Sequence, residues 1–331
     1  MITGNLGRDA SPAADQPLGG GDLSRPIKVG VVAPPTSGEV AAMEQLGTDS
    51  LWVGGHLASP NPSPEPLVWL ARLAEQSHRA AIGTATLVLP WYPPAIAAKQ
   101  LADIDRASKG RVILGVGAGG EYADDFNAAG VPRAERGTRL DESIDLLRRF
   151  WSAERVDHHG QHFRFEGLRI HPPPTQTGGP PIIVTGRKGP AIRRAAARGD
   201  GWMPYLYSAE RYQRSAIEIR SLAATNGRDL AGFRWMLYAM VSVHDDAAVA
   251  RKQAIEFVGG TYRRDPSAYI DRVTVSGTTT QVVDKLGAFA QAGVEHFVLL
   301  SCSKSGWSGK LSTLSDLIDG VRSFGTATRT A

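Results

Sequence analysis

The sequence predicts an α/β protein, a closed (β/α)8 TIM barrel with two insertions, on three observations. Eight strand-like runs recur between residues 27 and 302, and nearly every one is followed by a helical pattern. Several runs are apolar almost throughout, as parallel strands covered on both faces must be. No linker divides the chain near its midpoint, and 331 residues suit one large barrel.

Taken in order, "IKVGVVAP" (27–34) reads as the first strand and "EVAAMEQLG" (39–47) as a helix closed by Gly47. "DSLWVGGH" (49–56) is the second strand, and "EPLVWLARLAEQSHR" (65–79) a helix with Pro66 in its first turn. "AAIGTATLVL" (80–89) reads as the third strand before the helix "PAIAAKQLADIDRAS" (94–108). "RVILGVGAG" (111–119) is the fourth strand, ahead of the amphipathic helix at 136–152. "PIIVTG" (181–186), "GWMPYL" (201–206) and "FRWMLYAMVSV" (233–243) are strands five to seven, followed by helices at 189–199, 209–226 and about 246–258. A helix at 278–293 precedes the eighth strand, "HFVLLSC" (296–302), and a last helix spans about 311–323. The insertions fall at 152–180, where the pattern suggests a small hairpin around Gly160, and at about 259–277.

Composition narrows the function. Lys plus Arg (37) barely exceeds Asp plus Glu (33), so no nucleic-acid footprint is expected. The one cysteine, Cys302, allows no internal disulfide and suits a reducing, cytoplasmic setting. Residues 1–25 are rich in Gly, Pro, Asp and Ser and read as a flexible tail before a single domain over 26–331. No run approaches the roughly 18 apolar residues of a membrane span.

The fourth strand raises a choice. Gly115, Gly117 and Gly120 stand at G-x-G-x-x-G spacing. A dinucleotide fingerprint also needs an acid about 20 residues on, at the end of the next strand. Asp141 and Glu142 fall there, inside a helix instead. The glycines fit better as a bare strand end against which a flat ligand can lie. His56 sits at the tip of strand 2, where an imidazole can relay a proton. "TGRKGPAIRRAA" (185–196) pairs cations with a helix start, an arrangement that holds anions. Trp91 and Tyr92 fit a pocket wall, a barrel cap or an oligomer contact equally. His158, His159 and His162 look like hairpin residues rather than metal ligands, and Cys302 like a buried structural thiol.

Several stretches carry a broader likeness: "DSLWVGGH"; "IGTATLVLPWYPPAIAAKQLADIDRASKGRVILGVGAGGEYADDFNAAGVPRAERGTRLDESIDLLRRFW"; "PPIIVTGRKGPAIRRAAARGDGWMP"; and "VSGTTTQVVDKLGAFAQAGVEHFVLL". In order and spacing they resemble the bacterial luciferase-like superfamily of flavin- and deazaflavin-dependent oxidoreductases, over residues 28 to 302. The resemblance implies an F420-dependent oxidoreductase moving a hydride between the deazaflavin and a small organic substrate. An FMN-using monooxygenase that reduces O2 is the alternative, and a barrel that binds a phosphorylated ligand without redox chemistry a third reading.

It implies His56 as the catalytic histidine and Ala118 and Gly119 as contacts of the cofactor ring. Ala85, Thr86 and Val88 would back the ring, with a cis bond at Ala85–Thr86. Gly186, Lys188, Gly189, Ala191 and Ile192 would hold the phosphate. A homodimer is implied too. The chain departs from the sugar-phosphate dehydrogenases of that superfamily. Gly54 and Gly55 precede His56, "LASPN" follows it, and Gly120 stands where a glutamate is usual, with Glu121 one place late. Glucose 6-phosphate is therefore not the expected substrate.

Overall fold

The structure, a computed structural model, describes residues 26–33, 37–59 and 62–326. The proposed tail at 1–25 lies outside the described residues. Eight parallel strands close on themselves: β1 (Lys28–Val32), β2 (Ser50–Val53), β3 (Ala81–Thr84), β4 (Val112–Gly117), β5 (Ile182–Thr185), β6 (Gly201–Met203), β7 (Arg234–Val243) and β8 (His296–Ser301). Closure is made by β8 beside β1, with His296 opposite Lys28 and Leu299 opposite Val31. This is the (β/α)8 barrel of the sequence reading.

The helices are α1 (Ser37–Gln45), α2 (Pro66–Gln76), α3 (Pro94–Ala107), α4 (Ala123–Ala128), α5 (Arg136–Trp151), α6 (Gly189–Arg198), α7 (Ala209–Thr225), α8 (Ala247–Tyr262), α9 (Ile270–Val273), α10 (Thr279–Gln291) and α11 (Leu311–Thr326). Their boundaries follow from local chemistry. Glu65 caps α2 by accepting from the Val68 amide, and Pro66 supplies a first-turn residue that needs no N–H partner. Thr278 and Gln281 form a reciprocal capping box on α10. In α5 the buried Leu140, Ile144, Leu147 and Trp151 recur every three or four residues, so one face packs on the barrel.

Two expected elements differ in their extent, and two further elements were not anticipated. The third strand is not continuous over 80–89. It leaves the ladder at Ala85–Thr86, whose peptide bond is cis, and Leu87–Val88 rejoin it as a two-residue strand. Gly83 faces Ile113 while Leu87 faces Val116, so β3 carries one extra residue, a bulge at the barrel mouth. Helix α8 runs on to Tyr262 rather than stopping near 258. Gly259 and Gly260 stay helical, and the turn comes only at Arg263, which takes a left-handed φ of 52°. Helix α4 and the short strand Val275–Gly277 beside β7 were not anticipated. The hairpin around Gly160 is present, pairing Val156–His159 with Arg164–Leu168. Glu142 of α5 fastens it by accepting from the His162 and Phe163 amides and from His158 Nε2.

Inside the barrel the lower layer is filled by Trp52, Ile113, Ile183, Met203, Met236 and Val298. A polar chain runs through it. Trp52 Nε1 donates to Ser50 Oγ at 2.7 Å, and Ser50 Oγ meets His296 Nε2 at 2.7 Å. Burial, then the charges of Lys28 and Arg234, push the His296 imidazole down to about 3. The unfolded chain therefore binds a proton at this residue that the folded chain refuses. The stabilisation is complete above about pH 6.5 and is lost as pH falls toward 3. The expected loss at pH 5 is about 2 kcal/mol from this residue. Urea midpoints measured from pH 7 to 5 check it, because His296→Gln should flatten the slope. An unchanged slope in that variant would refute the assignment.

Candidate active site

At the carboxyl end of the strands two cavities open side by side, of about 910 Å³ and 1010 Å³. Loops after barrel strands are where such folds place their chemistry. The cavities share Thr86, Glu121, Tyr122, Thr185, Tyr205 and Tyr262 along their common border.

His56 lines the first cavity, just beyond β2. Its Nδ1 lies 2.9 Å from Asp125 Oδ2. Asp125 is 1% exposed, on α4, and its other oxygen accepts from the Leu57 and Ala58 amides at 2.9 and 2.8 Å. An ionised carboxylate only accepts, so Nδ1 carries the ring proton and Nε2 is left with its lone pair. The Tyr122 ring meets the imidazole edge-on at 4.9 Å, and the His56 amide donates to Ser63 Oγ at 2.9 Å. Histidine, carboxylate and two loop amides thus form one unit with a fixed tautomer.

The bulge in β3 backs the border between the cavities. Ala85, Thr86 and Val88 line the first cavity, and Thr86 lines both. Thr86 Oγ1 donates to the Gly115 carbonyl at 3.1 Å, and Thr185 Oγ1 lies 3.0 Å from it and 2.9 Å from the Val116 carbonyl. The end of β4 then presents Gly117, Ala118, Gly119 and Gly120 to the second cavity.

The loop after β5 closes the second cavity. Gly186, Arg187, Lys188 and Ala191 line it, whereas Gly189 and Ile192 do not. Ile192 is 5% exposed and packs in the core. The Ala191 and Ile192 amides donate to the Lys188 carbonyl at 2.8 and 3.2 Å, and Pro190 has no N–H. Cationic side chains, more than helix amides, therefore give this loop its pull on an anion. Tyr207 and Arg211 donate to the Arg187 carbonyl and hold the loop from behind. Across the cavity stand Arg133, Arg136, Arg263 and Arg264. Opposing charge on the same lining is limited to Glu121 and Asp124.

Asp125, Tyr205, Tyr262 and the four distant arginines were missed from sequence. Tyr205 donates to Glu121 Oε1 at 3.0 Å, stacks on Tyr262 at 6.3 Å, and carries Arg187 5.2 Å over its ring. Burial, then the Glu121 charge, push the Tyr205 phenol up to about 12, so it stays a donor at neutral pH. Cys302 is buried yet lines the first cavity, and burial pushes its thiol up to about 12. That thiol is a neutral wall, not a nucleophile. Trp91 lies with Val88 and Phe126 in a small core cluster, and Tyr92 donates to Glu65. His158 pairs with Glu142, and His162 with Thr138 and Glu135, which ties the hairpin to α5 and its approach. No cluster of metal-ligating side chains occurs among the described residues, and no helix among them is long and apolar enough to cross a membrane.

Comparison with known proteins gives a consistent placement. The family model for luciferase-like monooxygenases matches residues 35–296. An F420-dependent glucose-6-phosphate dehydrogenase of Mycobacterium tuberculosis is 28% identical over 287 residues, covering 78% of this chain and 84% of that protein. An F420-dependent secondary alcohol dehydrogenase, solved in complex with an F420–acetone adduct, superposes with a TM-score of 0.79 at 19% identity. The match covers 89% of this chain and 99% of that one. The monooxygenase RslO1 from Streptomyces bottropensis superposes with a TM-score of 0.72 at 20% identity, over 92% of this chain and all of the other.

Proposed function

The chain belongs to the luciferase-like monooxygenase family, and from that premise we propose that it is an F420-dependent oxidoreductase acting on a small organic substrate. The observation that carries the choice of cofactor is the charge of the second cavity. Seven of its lining side chains are cationic; Arg194 is committed to Asp141, and six remain: Arg133, Arg136, Arg187, Lys188, Arg263 and Arg264. One phosphate, as in FMN, needs two or three such partners. A polyanionic tail like that of coenzyme F420 makes use of all six. The curated relatives named for F420 support the same reading.

The residues present fit such a group. Thr86 and the bare main chain of Gly117 to Gly119 offer a flat surface for a tricyclic ring, next to the shared border. Lys188 and Arg187 receive the phosphate, and the arginines at 133, 136, 263 and 264 receive the remaining tail charge. When bound, a deazaflavin supplies hydride chemistry at its C5 carbon. The chain's own work is to orient both partners, exclude water and handle the proton. His56 Nε2 takes the hydroxyl proton as an alcohol becomes a carbonyl compound, and returns it in the reverse direction. Asp125 holds the imidazole and stabilises it once charged. A homodimeric state and a cytoplasmic location remain part of the proposal.

Titration of the purified protein with F420 and with FMN, read by quenching of tryptophan fluorescence, tests the reading. F420 should bind and FMN should not. Lys188→Glu should weaken F420 by at least about tenfold, a loss of roughly 1.4 kcal/mol or more. The control Lys310→Glu, a residue on neither cavity's lining, should not. Tight FMN binding without F420 binding would move the protein to the monooxygenase reading.

A further inference from the structure

The two cavities divide charge between them. The second holds seven cationic side chains, whereas the first has Lys304 as the one Lys or Arg on its lining, against Glu121 and Glu256. Its deep wall is Val32, Met203, Tyr238, Met240, Leu300 and Cys302, contributed by β1, β6, β7, β8 and the residue following β8. Met203 and Met240 are 1% and 4% exposed, and Cys302 is 5% exposed. Polarizable thioethers and a leucine make a wall that accommodates hydrocarbon of irregular shape. A phosphate or carboxylate placed there would lose its hydration and face two carboxylates with one ammonium in return.

Resting on the oxidoreductase reading above, we propose that the first cavity is the substrate site and takes an uncharged, hydrocarbon-rich alcohol or carbonyl compound. Its hydrocarbon body lies against Met203, Met240 and Leu300, and its oxygen reaches His56. The site excludes phosphorylated sugars. The lining thus separates this chain from the glucose-6-phosphate dehydrogenases it is related to. The division follows from the fold. The cations come from the loop after β5 and the helix it opens, from the approach to α5 and from the turn after α8. The apolar wall comes from the ends of β1, β6, β7 and β8.

Saturation-transfer NMR and equilibrium dialysis with two probes, cyclohexanone and glucose 6-phosphate, test this on the F420-loaded and the cofactor-free protein. Cyclohexanone should bind at least about tenfold more tightly than glucose 6-phosphate. Met240→Gln, nearly equal in shape but polar, should weaken cyclohexanone by about fivefold or more while F420 quenching stays as in the wild type. Lys99→Gln, exposed on α3 and on neither lining, should leave cyclohexanone affinity unchanged. In the F420-loaded protein, glucose 6-phosphate binding as tightly as cyclohexanone, or no cyclohexanone binding up to its solubility limit, overturns the proposal. Failure of F420 to bind with cyclohexanone still held against Met240 would sink the cofactor reading alone.

Discussion

His56→Ala is expected to lower kcat by about 10²–10⁴-fold while leaving F420 affinity within about twofold. The size follows from the geometry. The imidazole lines the first cavity, and its Nδ1 is committed to Asp125 at 2.9 Å. Only Nε2 remains to exchange a proton with substrate. Asp125→Asn separates this role from packing. The amide is the same size and still accepts from the Leu57 and Ala58 amides through its carbonyl oxygen. Its NH2 group then faces Nδ1 and forces the proton onto Nε2, so the ring presents a donor where an acceptor is needed. The expected result is a kcat lower by about 10–100-fold with KM little changed, and an altered pH–rate profile. Stopped-flow reduction of F420 by the substrate alcohol reads both variants. A His56→Ala enzyme with near wild-type kcat would remove the histidine from the chemistry.

The contrast between His56 and Asp125 shows what the sequence makes legible. His56 is found from position alone, because a strand tip in a barrel points at the mouth. Asp125 lies 69 residues away on a helix of six residues, too short to show any period. The barrel itself is legible because each strand is an apolar run with a helix after it, a signal that survives errors of a few residues at every boundary. The break in β3 is legible only through the resemblance, which implies the cis bond at Ala85–Thr86, since the β-rich composition runs on without interruption. Helix α8 is shortened in the sequence reading by Gly259 and Gly260, although packing on β7 and on the strand Val275–Gly277 carries it to Tyr262. That extension brings Thr261 within reach of the Tyr122 hydroxyl, at 3.0 Å, and places Tyr262 on the cavity border. The cation cluster is hidden for a different reason. Arg133 and Arg136 stand more than a hundred residues from Arg263 and Arg264, and each pair alone looks like a solvated surface. Ile192, which the resemblance implies as a phosphate contact, packs in the core with its amide turned onto the Lys188 carbonyl, a placement that residue type alone does not reveal.

The glycine triad of the fourth strand yields the second large effect, because its members do different work. A Cβ on Gly115 would stand 2.0 Å from the Thr84 carbonyl oxygen, which is main chain of the neighbouring strand. Neither strand can yield without parting the ladder between β3 and β4 and the Thr84 Oγ1 bond to the Gly115 carbonyl at 2.7 Å. Gly115→Ala is therefore expected to cost about 3 kcal/mol, a fall in Tm of roughly 4 °C for a chain of this length. Gly117 lines the second cavity, and its Cβ would meet Thr185 Oγ1 at 2.8 Å, the end of a side chain that can rotate. Gly117→Ala should lose much less stability, yet weaken F420 at least about tenfold, because the methyl group stands on the surface assigned to the ring. Differential scanning calorimetry and the fluorescence titration read the two variants side by side. Should both lose the same stability and keep the same cofactor affinity, the end of β4 is a packing device, and the ring must lie elsewhere in the mouth.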